Sequence, residues 1–238
     1  MNNKVINSMW WGDPLGVLEL LTLHSFHEHG HEFHLWTYED LKVPDFVVVR
    51  DANEIMPIDS LFCYNNVMDS GVEKGSKTGA ADIFRAKMLY ELGGWWVDMD
   101  VTCLKPFEIK NSYFFRHHWS NLTVGNAIKV PPKSHVMKMC YERYSKELNS
   151  ENTDWHKSTR ILSECVYDCK LSGCVKYGFA NLDHSEELEE YIKTDCKLPP
   201  MWMMIHWCNS CVDLDEMHRD SALFNLLSKY KLLKVKLA

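Results

Sequence analysis

Apolar residues along the first half of the chain follow two different periods, which predict strands and helices in turn. Three β-rich stretches predict strands over residues 4–11, 32–37 and 45–50. Apolar residues at helical spacing predict a helix over residues 15–29, with Asp13 as N-cap and Pro14 at its first position. The third strand is a continuous apolar run, so we expect it to be buried on both faces of a parallel sheet. Strand–helix–strand units of about thirty residues indicate an α/β fold.

The most informative stretch runs from Thr78 to Asp100 and reads as helix, stop, strand and acidic pair. Apolar residues at helical spacing predict a helix from Thr78, and Gly93-Gly94 predicts its end, because glycine adopts the left-handed conformation cheaply. The apolar residues 95–97 predict a short buried strand. The helix and the strand together therefore deliver the residues that follow to the edge of the sheet.

Asp98 and Asp100 follow that predicted strand directly. Side chains two residues apart on an extended chain point the same way, so both carboxylates can face one ligand. Two oxygen donors suit Mn²⁺ or Mg²⁺, which commonly bind through one or two carboxylates and substrate phosphates. A solvated acidic turn is the alternative interpretation of this pair.

The second half of the chain is less regular. Short strands are predicted over residues 101–107, 113–116, 127–130, 175–179 and 202–207, and the second and third of these have the spacing of a hairpin. Helices are predicted from residue 133 to residue 166, over 185–193 with Ser185 as cap, and over 215–233. No linker or repeat interrupts the chain, which predicts a single domain over residues 1–238.

Composition narrows the possible partners and compartments. The 238 residues are 46% apolar with a net charge of −7, and no basic stripe is present, so nucleic acid is not expected as a partner. No apolar run reaches the roughly 20 residues of a membrane span. The N-terminus lacks the apolar core of a signal peptide, and nine cysteines then indicate reduced thiols in a cytoplasmic protein.

Asp82 and Arg85 lie three residues apart on the predicted helix and share one of its faces. One interpretation is a surface ion pair worth a few tenths of a kcal/mol. The other is a pair that reaches sugar hydroxyls or a phosphate, for which the planar donor fork of arginine is suited.

These residues resemble a known family. The runs Ala81–Arg85 and Tyr90–Val101 resemble the DXD-containing sugar-transferase family, and residues 9–12 and 29–37 resemble its first two strands. The family groups fungal mannosyltransferases, bacterial capsule transferases and transferases of large DNA viruses, and more distantly the clostridial toxin glucosyltransferases. The absence of a membrane anchor predicts a soluble bacterial or virus-encoded enzyme, or one domain of a longer polypeptide.

The resemblance implies a GT-A glycosyltransferase fold, with a Rossmann-like mixed central sheet flanked by helices. Residues 1–107 would form the nucleotide-sugar half and residues 108–238 the acceptor half. The implied reaction is an anomer-retaining transfer from a nucleotide-sugar donor, with a UDP-sugar favoured, to a glycan, a protein-linked glycan or another hydroxyl acceptor. The implied cofactor is Mn²⁺ or Mg²⁺.

The resemblance also implies residue roles. The donor-binding set is Trp10, Trp11, Tyr38, Asp82, Arg85, Trp96, Asp98 and Trp207. The catalytic set is Asp98, Asp100 and Arg85, and the metal set is Asp98, Asp100 and His206. Trp10 would stack on the base, because any base has a stackable face. Asp100 would bind the metal and diphosphate most directly.

Residues 205–211 resemble the late histidine-containing segment of the family, which commonly ends in Ser-Trp. Cys211 stands where that tryptophan is expected, so Trp207 is the predicted substitute for it as a clamp on the leaving phosphate. His206 is either a third metal ligand or a hydrogen-bonded core residue.

Two other function classes fit parts of the sequence. Asp98-x-Asp100-x-Thr102 after an apolar strand is the pattern of haloacid-dehalogenase-type phosphatases, in which Asp98 would be the nucleophile. That pattern usually stands on the first strand, near the N-terminus. A non-catalytic sugar-nucleotide-binding module is the second alternative, and it would need Trp10 and Arg85 but not both aspartates.

Overall fold

The computed structural model of the chain describes residues 4–209 and 212–233. Its main sheet has seven strands in the order β3-β2-β1-β4-β7-β6-β8. These strands are β1 (Val5–Met9), β2 (Glu32–Thr37), β3 (Val47–Asp51), β4 (Gly94–Val97), β6 (Phe114–Arg116), β7 (Val124–Val130) and β8 (Val175–Lys176).

The strand directions make this a mixed sheet. The pairs β1–β2, β1–β4, β2–β3 and β6–β8 are parallel, whereas β4–β7 and β6–β7 are antiparallel. The predicted α/β class and mixed central sheet are therefore confirmed, and so is the antiparallel pairing of the two strands expected to form a hairpin.

Six α-helices are described, and those nearest the main sheet cover both of its faces. They are α1 (Val17–Glu28), α2 (Thr78–Leu92), α3 (His135–Glu147), α4 (Lys157–Asp168), α5 (Ser185–Lys193) and α6 (Ala222–Lys229). Neighbouring residues of a strand face opposite sides of a sheet. Trp95 accordingly packs in the apolar cluster beneath α1, and Trp96 packs with α2, α3 and α4. Among the described residues, no helix has the length and apolar character that crossing a bilayer requires.

A second, two-stranded sheet begins immediately after the acidic pair. Strand β5 (Val101–Cys103) pairs antiparallel with β9 (Met204–His206), which places Val101 opposite His206. This small sheet packs between α1 on one side and the C-terminal helices α5 and α6 on the other. The polypeptide therefore leaves the main sheet at Val97 and enters the small sheet at Val101, and the acidic pair lies in the junction.

Some predicted elements differ from the observed ones. Among the described strands β3 pairs with β2 alone, at the edge of the sheet. Its residues after Val47 are half-buried or exposed, with Val49 46% exposed, so it is not buried on both faces. Helix α1 begins at Val17 with Gly16 as N-cap, not Asp13, because the carboxylate of Asp13 is paired with Lys77 instead.

The C-terminal elements also differ from their predicted bounds. The predicted strands over 101–107 and 202–207 are three residues each, and they pair with one another. The predicted helix over 215–233 is a 3₁₀ turn at Leu214–Glu216 followed by α6. Ser221 is the N-cap of α6, since its hydroxyl accepts a hydrogen bond from the Phe224 N–H. His184, not Ser185, occupies the N-cap position of α5.

The predicted glycine stop after α2 is confirmed. Gly93 has φ 64° and ψ −162°, a backbone conformation that is essentially restricted to glycine. A Cβ atom there would lie 2.8 Å from the carbonyl carbon of Pro131, and closer still to the backbone nitrogen of Pro132. Gly93 thus serves both the turn and the close approach of the segment that follows β7.

We expect Gly93→Ala to lower the free energy of unfolding by about 3 kcal/mol, because the unfavourable φ adds to a backbone clash. Gly30→Ala is the matched control. Gly30 also follows a helix and has φ 78°, but nothing lies within 4 Å of a Cβ placed there, so we expect a loss of about 1 kcal/mol. Urea unfolding followed by circular dichroism measures both losses, and equal losses would contradict the assigned clash.

Candidate functional site

The acidic pair, Asp98 and Asp100, meets His206 at the junction of the two sheets. One ligand atom from each of the three side chains lies within 4.8 Å of the other two. Asp98 follows the last residue of β4, Asp100 precedes β5, and His206 ends β9. The antiparallel β5–β9 pairing brings the histidine back beside the motif although it lies about a hundred residues later.

Asp98 is held by two donors from the α2 side of the main sheet. The indole N–H of Trp96 donates to its Oδ1 at 2.7 Å, and the Arg85 guanidinium donates to the same oxygen at 3.3 Å. Trp96 is only 2% exposed, so its ring is fixed by packing. One oxygen of Asp98 is therefore positioned by the protein, and Asp98 itself lies at the cavity wall.

Asp82 and Arg85 form a buried ion pair and not a surface pair. Their side chains are 4% and 9% exposed, and Arg85 bonds both Asp82 and Asp98. Burial raises the pKa of Asp82, and Arg85 opposes that rise. Burial also disfavours the charged form of Arg85, but the attraction of the two carboxylates outweighs the effect of burial and raises the pKa of Arg85. A Cβ at Gly125 would overlap the Arg85 guanidinium, so glycine is required where β7 passes it.

Asp100 is held from the small sheet. Its Oδ1 lies 3.2 Å from His206 Nε2, and its Oδ2 accepts the backbone N–H of Asn209 at 2.8 Å. Burial disfavours the carboxylate, but His206 outweighs this and keeps the pKa of Asp100 below its usual value. Burial alone would lower the pKa of His206, but the pairing with Asp100 raises that pKa well above its ordinary value.

Asp183 and Arg116 lie behind His206. Asp183 Oδ1 accepts the His206 Nδ1–H at 2.8 Å, and Arg116 donates to both oxygens of Asp183 at 2.7 and 2.8 Å. Although burial opposes it, the charge of Arg116 holds the pKa of Asp183 far below its usual range. A carboxylate that accepts from one ring nitrogen fixes the orientation of an imidazole. His206 therefore presents Nε2 to the acidic pair.

Glu19 links helix α1 to the same site. It is 2% exposed, and its Oε1 accepts the side-chain N–H of Asn209 at 2.6 Å. Asn209 in turn donates its backbone N–H to Asp100. Burial raises the pKa of Glu19 to about 7. Glu19 thus supports the loop after β9 from the opposite side of the junction.

Two cavities, of about 590 and 230 Å³, meet at this cluster. They share the lining residues Thr78, Asp82, Arg85, Asp98, Asp100 and Asn209. The smaller cavity extends along the end of β1 past Trp10 and Trp11 to Lys77. The larger cavity extends the other way, to His118, Trp119 and Trp155. The acidic pair therefore lies where two compartments of different lining join.

Most of the predicted site residues lie around these cavities. Asp82, Arg85, Asp98 and Asp100 line both cavities, His206 lines the larger one, and Trp10, Trp11 and Trp96 line the smaller one. The hydroxyl of Tyr38 donates to the Met56 carbonyl oxygen, and Tyr38 lines neither cavity, so its contact with the donor stays a prediction.

The predicted role of Trp207 as a clamp on the leaving phosphate is wrong. Trp207 is fully buried, lines neither cavity, and donates its indole N–H to Thr102 Oγ1 at 2.8 Å. It packs in the apolar cluster formed by α1, α5 and α6. A side chain so placed cannot clamp a phosphate. Cys211, at the position where the family has its tryptophan, lies outside the described residues.

Several residues of the site are not predicted from the sequence, namely Glu19, Arg116, Gly125, Asn126 and Asp183. Arg116 offered a signal, because it follows two phenylalanines in a predicted strand, and a buried arginine requires a partner. The other four carry no local pattern that separates them from ordinary loop, helix or strand residues.

Residues 28–117 match the family model described as glycosyltransferase sugar-binding region containing DXD motif. This part of the chain is therefore similar to that family. The predicted resemblance is thereby confirmed, and the match supports glycosyl transfer in general as the activity. No curated protein matches the chain.

Among solved structures, the chain is similar to the PaToxG glycosyltransferase, with 12% identity and a TM-score of 0.48 over 69% of this chain and 68% of that one. A second is a mutant transferase, 11% identical with a TM-score of 0.45 over 74% of this chain and 88% of that one.

The raised pKa of Glu19 predicts a pH-dependent stability. The folded state keeps a proton that the unfolded state releases above its model value of 4.5, so this contribution is complete below pH 4.5 and declines until the pH passes about 7. We expect the free energy of unfolding to fall by about 3 kcal/mol across this window. Urea unfolding of the metal-free protein at several pH values measures the decline.

Glu19→Gln is the matched variant, because an amide oxygen can still accept from Asn209 but does not titrate. We expect the decline between pH 4.5 and 7 to be about 3 kcal/mol smaller in this variant than in the parent. An unchanged decline would assign the pH dependence to other groups.

Proposed function

We propose that this protein transfers a sugar from a nucleotide-sugar donor, with a UDP-sugar favoured, to a hydroxyl of a glycan acceptor with retention of the anomeric configuration. The observation that carries the proposal is the meeting of Asp98, Asp100 and His206 at the boundary between two cavities. A transferase needs such a boundary, because its reacting bond must lie between donor and acceptor.

The three side chains form a suitable set of ligands for a divalent cation. Two carboxylates favour Mg²⁺ or Mn²⁺, and the imidazole shifts the preference towards a transition metal, so Mn²⁺ fits the set best. Asp183 on His206 Nδ1 is the carboxylate–histidine support that ligating histidines commonly have. When bound, a divalent cation neutralises charge on the diphosphate leaving group.

The smaller cavity is the proposed nucleotide site. Trp10 and Trp11 supply aromatic surface for the base, and the indole N–H of Trp10 donates to the Asp13 carbonyl oxygen at 2.8 Å, which fixes its ring. Lys77 is the cationic group of this cavity beyond Arg85, and its Nζ lies 5.8 Å from the centre of a Trp11 ring. Trp96, whose ring is almost fully buried, positions Asp98 and contributes little surface to a ligand.

The state of the carboxylates supports retention. Each carboxylate that lines the larger cavity already accepts from a cationic or N–H donor, the pairs being Asp82–Arg85, Asp98–Arg85, Asp100–His206 and Asp183–Arg116. An inverting transfer needs a free base to deprotonate the acceptor. Among the described lining residues no carboxylate is free for that role, which leaves His118, His156 and His184 as the bases that an inverting transfer could use, and a retaining transfer needs no base.

We also propose a reducing compartment such as the cytoplasm. The eight cysteines that the structure describes are all free of disulfides. Exported proteins of this size with many cysteines commonly carry disulfides, whereas cytoplasmic thiols are kept reduced.

Nucleotide release from a panel of nucleotide sugars, with Mn²⁺ or with chelator, tests the proposal. We expect slow hydrolysis of one donor that needs Mn²⁺ and that falls at least 100-fold in Asp100→Asn, since a metal ligand is lost. Asp59→Asn, at an exposed position away from the cavities, is the control and should hydrolyse the donor normally.

Two other outcomes would replace the proposal. Turnover of an aryl phosphate with Mg²⁺ and loss of that activity in Asp98→Asn would indicate a phosphatase. Thermal stabilisation by a nucleotide sugar without any nucleotide release would indicate a binding module.

Asp183→Asn tests the support of His206. We expect Mn²⁺ affinity, measured by calorimetry, to fall by about 10- to 100-fold, because the amide holds the imidazole less firmly and lowers its basicity. Asp59→Asn should bind Mn²⁺ as the parent does. Unchanged affinity in Asp183→Asn would remove His206 from the proposed ligand set.

A further inference from the structure

The part of the larger cavity that points away from the nucleotide site has a lining of its own. It is bordered by the loop after β6, the start of α4 and the loop before α5. The whole cavity, at about 590 Å³, is in the range of small-molecule sites, roughly 300 to 1,000 Å³, and is too small for a folded domain. Whatever binds here therefore enters as a small molecule or a chain end.

Aromatic rings form a continuous wall in this part of the cavity. The ring centre of Trp119 lies 5.9 Å from that of His118 and 5.8 Å from that of His184, and His118 lies 5.9 Å from His156. Trp155 lines the same cavity. Trp119 is 54% exposed, so its face is available to a ligand. Exposed aromatic surface on a cavity wall suits the apolar C–H faces of sugar rings.

The polar groups of this wall are suited to hydroxyls. Asn126 is 1% exposed and lines the cavity; its Nδ2 donates to Asp183, whereas its Oδ1 has no hydrogen-bond partner. That oxygen is enclosed by the protein, so Asn126 supports the wall through Asp183 and does not itself contact a ligand. His118 is 5% exposed, and its Nδ1 accepts from the Ser120 N–H, which leaves Nε2 as a neutral donor.

The charges of the cavity disfavour an anionic ligand. Four carboxylates line it, and among the described residues Arg85 is the one lysine or arginine that does so. Arg85 is already engaged by Asp82 and Asp98. A phosphate or carboxylate bound against the aromatic wall would meet no free cationic side chain of the described lining.

We propose that this aromatic wall, with Trp119 as its stacking platform, is the acceptor site and binds a neutral saccharide. The inference rests on the proposed function, because the reacting hydroxyl must reach the junction that both cavities share. The wall then selects an uncharged sugar ring over a phosphorylated or carboxylated one.

Transfer to methyl glycosides of neutral hexoses, compared with hydrolysis of the same donor, tests the proposal. In Trp119→Ala we expect kcat/KM for transfer to fall at least tenfold, while donor hydrolysis in the absence of a glycoside stays within twofold of the parent. Trp119→Phe should recover most of the transfer. Tyr167→Ala removes an aromatic ring that is 71% exposed outside the cavity, and it should change neither rate.

Normal transfer in Trp119→Ala would overturn the proposal. Transfer only to glycosides that carry phosphate or carboxylate, or only to serine-, threonine- or tyrosine-containing peptides, would also overturn it.

Saturation-transfer NMR with the same methyl glycosides, in the presence of UDP and Mn²⁺, separates this proposal from the proposed function. We expect saturation of the sugar protons in the parent and its loss in Trp119→Ala. If no nucleotide sugar is consumed but this pattern is seen, the proposed function fails and the saccharide site stands. If a donor is hydrolysed but no glycoside is saturated in the parent, the saccharide site fails and the donor chemistry stands.

Discussion

The buried guanidinium of Arg85, shared between Asp82 and Asp98, is the interaction on which the site depends. A buried charge is tolerated only when it is paired, and loss of one partner of such a pair costs about 3–5 kcal/mol. Arg85 meets this condition twice, because it bonds one carboxylate of its own helix and one at the end of β4. The helix and the Asp-x-Asp motif are thereby joined by charge as well as by packing.

The arrangement around His206 follows the same physical rule from the other side. Arg116 on β6 pairs with Asp183, Asp183 accepts from His206, and His206 contacts Asp100. Positive and negative groups alternate along this series, so each buried charge has a neighbour of opposite sign. The two halves of the Asp-x-Asp motif are consequently held by two independent series of ion pairs.

The local part of this architecture could be predicted from sequence because it follows from local rules. Helix periodicity, the conformational freedom of Gly93 and the two-residue spacing of Asp98 and Asp100 are all contained within one short stretch. The position of β3 at an edge is not contained in its own apolar run, since burial depends on which strands pair on either side. Asp183 was missed for the same reason, because its partners Arg116 and His206 come from distant strands.

Trp207 shows how resemblance misleads when a single residue departs from a family pattern. Its neighbour His206 faces the acidic pair, and successive residues of an extended chain face opposite ways, so Trp207 had to point into the core. Strand alternation alone therefore argued against a clamp at this position.

The placement of the acidic motif between two sheets has a mechanical consequence. Asp98 is bonded to Arg85 of α2 and follows a strand of the seven-stranded sheet, whereas Asp100 and His206 adjoin and end the strands of the β5–β9 pair. An ion that binds all three side chains would link the two sheets to each other. If a displacement of one sheet relative to the other is opposed by the bound ion, the same displacement must weaken ion binding by an equal free energy.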